Sequence, residues 1–423
     1  MTVLGKEATQ KPSNVRRKLE MLWTSTKALY RAYHGAMKVA TAVMPFPVPE
    51  LLTGKGSAGA LPKALKSRGI DNILVVTDKG LTATGLVAGL CDALEENNVA
   101  YTVFDEVQPN PTIQDIEKGL RVFAANHSRA IVAFGGGSPM DCAKMIAARS
   151  SNPGRSVRKM KGRFRIRRKL PPLFAIPTTA GTGSETTVVA VVTDPETREK
   201  FAVIDFKLVP IVAVLDPELM LGLPPPITAA TGMDALTHAV EAYIGLHGTR
   251  FTEEKAEKAT KIIFEDLEDL YKNGSDLEKR MNMALASFYA GSAFTRASVG
   301  YVHALAHNMG GLYGVPHGLA NAIILPYVLA FSRKEAEQKM ARLARASGIG
   351  EHGATDTEMS HRFLEKVRTM NQNMNIPTTI KELQEKDIPL IAKRALREAN
   401  PAYPVPRIMG RRECEDLLRE LLP

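Results

Sequence analysis

A chain of 423 residues is longer than one core usually supports, since a domain holds roughly 150 residues, so two or three domains are expected. With 44% hydrophobic and 24% charged residues, the composition is that of an ordinary globular protein, which excludes collagen-like and wholly disordered chains. The net charge of +10 is concentrated in two places: the first 50 residues carry eight Lys/Arg against three Asp/Glu, and 155–169 carry nine Lys/Arg and no acid. The remainder is mildly acidic, so the basicity is an appendage to the cores and argues against nucleic acid as a partner.

In chain order, residues 1–45 read as a helical N-terminal extension, with Leu19, Leu22, Trp23, Leu29, Tyr33, Met37 and Ala40 at three- and four-residue steps. It is expected to dock on its own domain or on a subunit partner. From 46 the chain changes to short apolar runs at 72–77, 100–104, 130–134 and 173–176, separated by helical segments at 86–96, 113–126 and 140–150. That alternation predicts an open parallel sheet in an α/β domain over 46–223. After the proline triplet at 224–226 the segments 227–244, 253–272, 276–296, 302–309, 318–331 and 334–346 read as successive helices, an all-α domain over 224–423. The apolar runs fall short of the roughly 20 residues a membrane span needs. Cys91, Cys142 and Cys414 are odd in number and lack CxxC spacing, so neither a disulfide framework nor a thiolate zinc site is encoded. A cytoplasmic location fits, with organellar import through the basic N-terminus as the other option.

Two loops follow predicted strands with the composition of a phosphate site. The first is Gly135, Gly136, Gly137, Ser138, Pro139, Met140, Asp141. Its glycines let backbone N–H groups approach a ligand, and Ser138 with Asp141 reads as a capping pair that opens a helix. The second, 177–185, carries Thr178, Thr179, Thr182 and Ser184 with two glycines. In an open α/β sheet ligands bind outside the carboxyl ends of the strands, where both loops belong. Asp78 ends the run 72–77 on the same edge. A carboxylate there accepts bonds from a ribose diol and repels a 2′-phosphate, favouring NAD over NADP.

Asp234 and His238 lie four apart, as do His303 and His307, with His317 following. On helices each pair shares a face, and several unpaired imidazoles in Ala/Leu/Val-rich surroundings are costly unless a shared ion takes their lone pairs. One carboxylate with two or three imidazoles suits Fe(II), Zn(II) or a similar first-row ion, and spacing leaves open which of His303 and His307 is a ligand. His34, His127, His247, His352 and His361 are isolated and receive no role.

Together these motifs resemble the iron-containing (group III) alcohol dehydrogenase family: GGGSPMDCAK at 135–144, AIPTTAGTGSE at 175–185, DPELM at 216–220, TGMDALTHAVEAYI at 231–244 and VHALAHNMGGLYGVPHG at 302–318 look like that family's segments in its order. The resemblance runs from about residue 46 to the end. It implies a dinucleotide-binding α/β domain followed by a helical metal-binding domain, the dehydroquinate synthase-like architecture, with the active site between them. It also implies that Asp234, His238, His303 and His317 hold the metal and that His307 faces the nicotinamide as the catalytic proton relay. Gly135, Gly136, Gly137, Ser138 and Asp141 would surround the pyrophosphate, Thr178, Thr179 and Thr182 would line the cofactor, Lys200 would reach its ribose and Asp78 would mark NAD. The implied reaction is reversible hydride transfer between NAD, with NADP as the alternative, and a primary alcohol or diol and its aldehyde, in a homodimer or larger homo-oligomer. A hydroxyacid-oxoacid transhydrogenase of the same fold is the neighbouring reading, and glycerol oxidation a more distant one. A binder of anionic polymers using 155–169 is the reading from another class, the bland account of that stretch being a solvated loop.

Overall fold

The computed structural model describes residues 14–197, 199–350 and 353–423. His352 and the residues before Asn14, on which the import reading depends, lie outside that set. Strands run in chain order as β1 (Glu50–Thr53), β2 (Asn72–Val76), β3 (Ala100–Phe104), β4 (Ala130–Gly135), β5 (Gly162–Arg163), β6 (Leu173–Pro177), β7 (Val189–Asp194), β8 (Glu199–Ile204) and β9 (Val212–Leu215). Six form one parallel sheet in the order β1-β9-β6-β4-β2-β3, and β5-β8-β7 form a second. All residues of β4 and β6 are buried, as expected of parallel strands covered on both faces. The helices of this half are α1 (Asn14–Val43), α2 (Leu61–Lys66), α3 (Lys79–Ala83), α4 (Leu86–Glu96), α5 (Ile113–Ala125) and α6 (Gly137–Ser151).

Sheet order sets where a ligand can lie. From β2 the chain goes outward to β3 and then returns to the other side of β2 as β4, so a crevice opens between the carboxyl ends of β2 and β4. Gly135 pairs with Pro177 in register, which puts the glycine loop and the threonine loop side by side. Gly135 has φ of 146°, and a Cβ there would stand 2.7 Å from Pro139 Cγ. Only glycine fits that position.

The second half is helical: α7 (Pro225–Ile244), α8 (Arg250–Lys272), α9 (Leu277–Ala297), α10 (Tyr301–Tyr313), α11 (His317–Ala346), α12 (Asp356–Asn373), α13 (Ile388–Ala399) and α14 (Arg411–Glu420). α7 is buried along nearly its whole length and forms the centre of this half. Gly183, with φ of 58°, lies so close to α9 that a Cβ would be 2.7 Å from Gly291 Cα, and this contact presses the threonine loop against the helices.

Four expectations change. The predicted helices 318–331 and 334–346 are one helix, α11, with Pro326 inside it. Proline removes the N–H that would reach Ala322 O, and Asn371 Nδ2 donates to that carbonyl instead at 2.7 Å. The Ser138–Asp141 capping pair does not form: Gly136 is the N-cap of α6, with no side-chain cap. Ser138 Oγ accepts from Asn110 N at 3.1 Å, and the Asp141 carboxylate accepts from Ser184 Oγ and Val191 N, both at 3.0 Å. The basic stretch is not simply a solvated loop, because Val157, Met160 and Ile166 are in the core, Arg158 pairs with Asp194 and Glu196, and Lys161 with Glu199. Part of its charge is therefore neutralised within the fold.

The fourth change concerns part of the α1 stripe. The face turned to the body carries Trp23, Tyr30, His34, Met37 and Thr41, whereas Leu22 and Leu29, expected on the apolar stripe, are 57% and 72% exposed. The helix docks on its own chain through polar bonds that apolar spacing does not report. Arg31 Nη1 donates to Val405 O at 2.6 Å, His34 Nε2 to Pro401 O at 2.9 Å, and His247 Nε2 to His34 O at 3.1 Å. His34 and His247 thus have structural roles that their isolation in sequence concealed.

Candidate active site

Between the sheet's carboxyl edge and the helices lies a cavity of about 380 Å³. On its helical side, Asp234 and His238 come from α7, His303 from α10 and His317 from the first position of α11, and ligand atoms of all four lie within 4.8 Å of one another. Three acceptor atoms converge on Asn321 Nδ2: Asp234 Oδ1 at 2.6 Å, His317 Nε2 at 3.2 Å and His303 Nε2 at 3.3 Å. His238 Nδ1 and Asn321 Oδ1 are buried without a hydrogen-bond partner. A knot of acceptors with orphaned polar atoms beside it is what a divalent cation satisfies.

Electrostatics agree with that fit. Burial, then the neighbouring imidazoles, holds His303 well below the usual histidine range, and burial brings His317 down to about 4. Burial also lowers His238. All three rings therefore present neutral lone pairs at pH 7. Glu241, one turn after His238 on α7, holds the next ring in place: His303 Nδ1 donates to its Oε2 at 2.7 Å, as does Gly300 N, while Val302 N donates to Oε1 at 2.8 Å. One carboxylate thereby caps α10 and turns His303 Nε2 toward the cluster. Phe294 stacks on His238, ring centroids 4.2 Å apart.

His307 does not join the cluster. Its Nδ1 donates to Glu398 Oε1 at 2.7 Å, and Tyr403 OH donates to the same oxygen at 2.7 Å. Burial pushes the Glu398 carboxyl up, but the His307 charge and these two donors win and hold it below its ordinary value. His307 lies parallel to His317, centroids 5.3 Å apart, and lines the cavity.

On the sheet side, Gly137, Ser138, Asp141, Thr182 and Lys200 line the same cavity. Lys200 Nζ donates to Asn110 Oδ1 at 2.8 Å, and burial brings its pKa down to about 8. Thr179 Oγ1 would lie 3.3 Å from a Cβ on Gly136, and Thr178 is buried with its N–H given to Gly135 O at 3.1 Å. Asp78 stands apart, at the end of β2, as N-cap of α3 through Leu81 N at 3.1 Å. Lys144, the last residue of the glycine motif, organises both loops: its buried ammonium meets Ser184 O, Thr187 Oγ1 and Val189 O at 2.7 to 2.8 Å.

Residues 48–217 match the family described as iron-containing alcohol dehydrogenase, and 228–422 match the C-terminal domain of the Fe-containing alcohol dehydrogenase family. The chain belongs to the iron-containing alcohol dehydrogenase family. A 1,3-propanediol dehydrogenase of Citrobacter freundii is 38% identical over 371 residues, covering 87% of this chain and 95% of the relative. An NAD-dependent methanol dehydrogenase of Bacillus methanolicus is 37% identical over 83% of this chain and 92% of its own. The crystal structure of a 1,3-propanediol oxidoreductase superposes with a TM-score of 0.86 at 36% identity, covering 90% of this chain and all of that one. The chain is thus an oxidoreductase of a family that works with a nicotinamide cofactor and a metal ion, and the relatives favour the dehydrogenase reading over the transhydrogenase one. Among the described residues no helix is long and apolar enough to cross a membrane.

Spacing had marked the four clustered residues and His307. It missed Glu241, Asn321, Glu398 and Tyr403. Glu241 was within reach, lying seven after Asp234 and three after His238 on the same helix face. The other three arrive from separate elements. Met37, Thr41 and Phe46 from the N-terminal segment also line the cavity, with Arg163 and Arg296, and nothing in the local sequence announces them.

Proposed function

We propose that this chain reduces aldehydes to primary alcohols or diols, and the reverse, with NAD in preference to NADP and with an Fe(II)-like ion held by Asp234, His238, His303 and His317. The observation that carries the reading is the set of four ligand atoms within 4.8 Å on the wall of a cavity whose opposite wall is the glycine loop and Lys200. When bound, the ion supplies Lewis acidity toward the substrate oxygen, and the nicotinamide supplies or accepts the hydride. Gly137 and Ser138, at the start of α6, offer backbone N–H groups to the pyrophosphate, and Asp78 at the end of β2 favours a free ribose diol. His307, its Nδ1–H fixed by Glu398, keeps Nε2 toward the cavity and moves the hydroxyl proton. Tyr403 steadies the Glu398 oxygen that orients it.

In this reading 46–223 is the dinucleotide-binding domain, 224–423 the metal domain and 1–45 an extension. Self-association is part of it: Leu22, Leu29, Val39 and Val43 are 57% to 79% exposed within an arc of about 100° on α1, and a second copy of the chain is the occupant that fits that stripe.

The test is metal analysis of protein purified without oxygen, coupled to NADH and NADPH oxidation by short-chain aldehydes. About one iron per chain with aldehyde-dependent NADH loss is expected. Zinc or no metal, with no turnover under either cofactor, overturns the reading. His307→Ala with full metal content should lower kcat about 100-fold; an unchanged kcat removes His307 from the mechanism.

A further inference from the structure

The cavity has a cationic pole that neither the metal nor the cofactor residues use. Arg296, in the last turn of α9, is half-buried, and its guanidinium carbon stands 3.9 Å from the Phe251 ring centroid and 5.5 Å from that of Phe46. Stacking on aromatic faces holds the guanidinium plane and leaves its N–H edges unspent. Among the described residues no carboxylate or hydrogen-bond acceptor meets those edges, and burial lowers its pKa. A half-buried guanidinium on a cavity wall with no protein acceptor has donors to offer a ligand there.

Arg163, exposed on β5, is a second cation on the cavity wall. Its Nη1 donates to Tyr33 OH at 3.1 Å, and it lies close enough to act electrostatically on His247 and Tyr403. The carboxylates on the described cavity wall are Asp141 and Asp234. Asp141 is engaged by Ser184 and Val191, and Asp234 by Asn321 and the histidine cluster. Nothing anionic in the wall answers the two arginines.

The backbone beside Arg296 is strained as well. Ser298, also on the wall, has φ of 71° and ψ of 178°, a region almost reserved for glycine and met mainly where function over-determines the chain. Its N–H donates to Phe294 O at 2.7 Å, which fixes the wall between the residue stacked on His238 and the arginine.

We infer that this pole receives a carboxylate carried by the substrate, so that the aldehydes reduced here are short ω-oxo acids and the alcohols oxidised are the matching ω-hydroxy acids. The inference rests on the dehydrogenase reading above and names its substrate class. In the reduction, hydride passes from NADH to the aldehyde carbon and a proton to its oxygen, giving NAD and the hydroxy acid, with the carboxylate unchanged. A charge-assisted, two-pronged contact to a guanidinium shielded by rings is expected to favour the acid about 10- to 100-fold over an uncharged aldehyde of equal length.

The experiment measures kcat/KM of the metal-loaded enzyme at saturating NADH for ω-oxo acids of three to six carbons against the n-alkanals of the same lengths, with 4-oxobutanoate against butanal as the central pair. The acid should be preferred at least tenfold at one length or more. Arg296→Leu should reduce that ratio at least tenfold, Arg296→Lys should keep part of it, and Arg163→Leu should lower it less; metal content and melting are checked for each, with Arg296→Gln as the fallback for folding. Preference for the alkanal at every length, or a ratio that Arg296→Leu leaves unmoved, overturns the inference. A rise in KM for NADH in place of the change in ratio assigns the arginines to the cofactor and overturns it too. If no aldehyde of either kind turns over, the dehydrogenase reading fails, and the carboxylate site is judged by the melting shift from butanoate against butanol: a butanoate shift abolished by Arg296→Leu keeps it, and no shift removes it.

Discussion

Glu241 answers three donors with two oxygens: Gly300 N, Val302 N and His303 Nδ1. Glutamine keeps the shape and surrenders part of that acceptor capacity, so His303 loses its orientation while α10 keeps most of its cap. Glu241→Gln should weaken metal retention about 10- to 100-fold, read by competition with a chelator; retention equal to wild type would show that the ring is held by packing alone. Lys200 poses the opposite problem. Burial takes its pKa from 10.5 to about 8, so the folded state binds fewer protons than the unfolded chain between pH 8 and pH 10.5, and stability rises with pH across that window. Below pH 8 the cost of the buried ammonium is present in full. Lys200→Met should therefore add about 1–2 kcal/mol at pH 7, after allowance for water in the cavity, and the gain should shrink toward pH 10. Urea titrations at the two pH values decide it, and the same variant should bind NADH more weakly, an exchange of stability against function.

At the scale of elements, α11 shows how a side chain can replace a backbone donor. Asn371 from α12 supplies the bond that Pro326 denies to Ala322. Asn371→Ala leaves a buried carbonyl unanswered and should cost about 1–3 kcal/mol. Adding Pro326→Ala returns an N–H and should recover part of the loss, and a double cycle without such recovery would sink this account. The same helix explains a limit of reading by spacing. Strands β2, β4 and β6 were legible as nearly unbroken apolar runs because both faces of a parallel strand are covered, and the edge strand β3, mostly half-buried, by its aromatic and β-branched residues. The hairpin of β7 and β8 was not, since its burial alternates and β8 opens on Glu199 and Lys200. Spacing pointed to the metal cluster through Asp234 and His238, four apart on α7, but could not separate His303 from His307 on α10, of which only His303 joins it; Glu398 and Tyr403 reach His307 from far along the chain. Helix α1 was found at its full length, and Trp23 and Met37 of its expected stripe face inward, but Leu22 and Leu29 do not, because arginine and histidine bonds to 401–406 decide which face turns inward.

For the whole molecule, the excess positive charge has a different meaning once folded. Arg158 and Lys161 are paired at the surface, while Arg163 from the same stretch lines one cavity with Arg296 and Lys200, a concave arrangement that gathers anions. The exposed stripe on α1 makes a separate claim. Leu29→Lys with Val43→Lys puts two charges on it and should shift the 46.1 kDa chain from an oligomer to a single copy by size-exclusion with light scattering. A wild-type chain that is already single under the same conditions would end that idea. The origin of the cavity wall matters for how such proteins are sorted. Met37, Thr41 and Phe46 come from before or just outside the stretches 48–217 and 228–422 that carry the family likeness. Substitution or exchange of that leading segment would alter which molecules fit while every ligand-bearing motif stayed as it is. Proteins grouped by those motifs would then share a reaction and differ in diet, and the divergence that distinguishes them would lie in a helix that motif-based classification passes over.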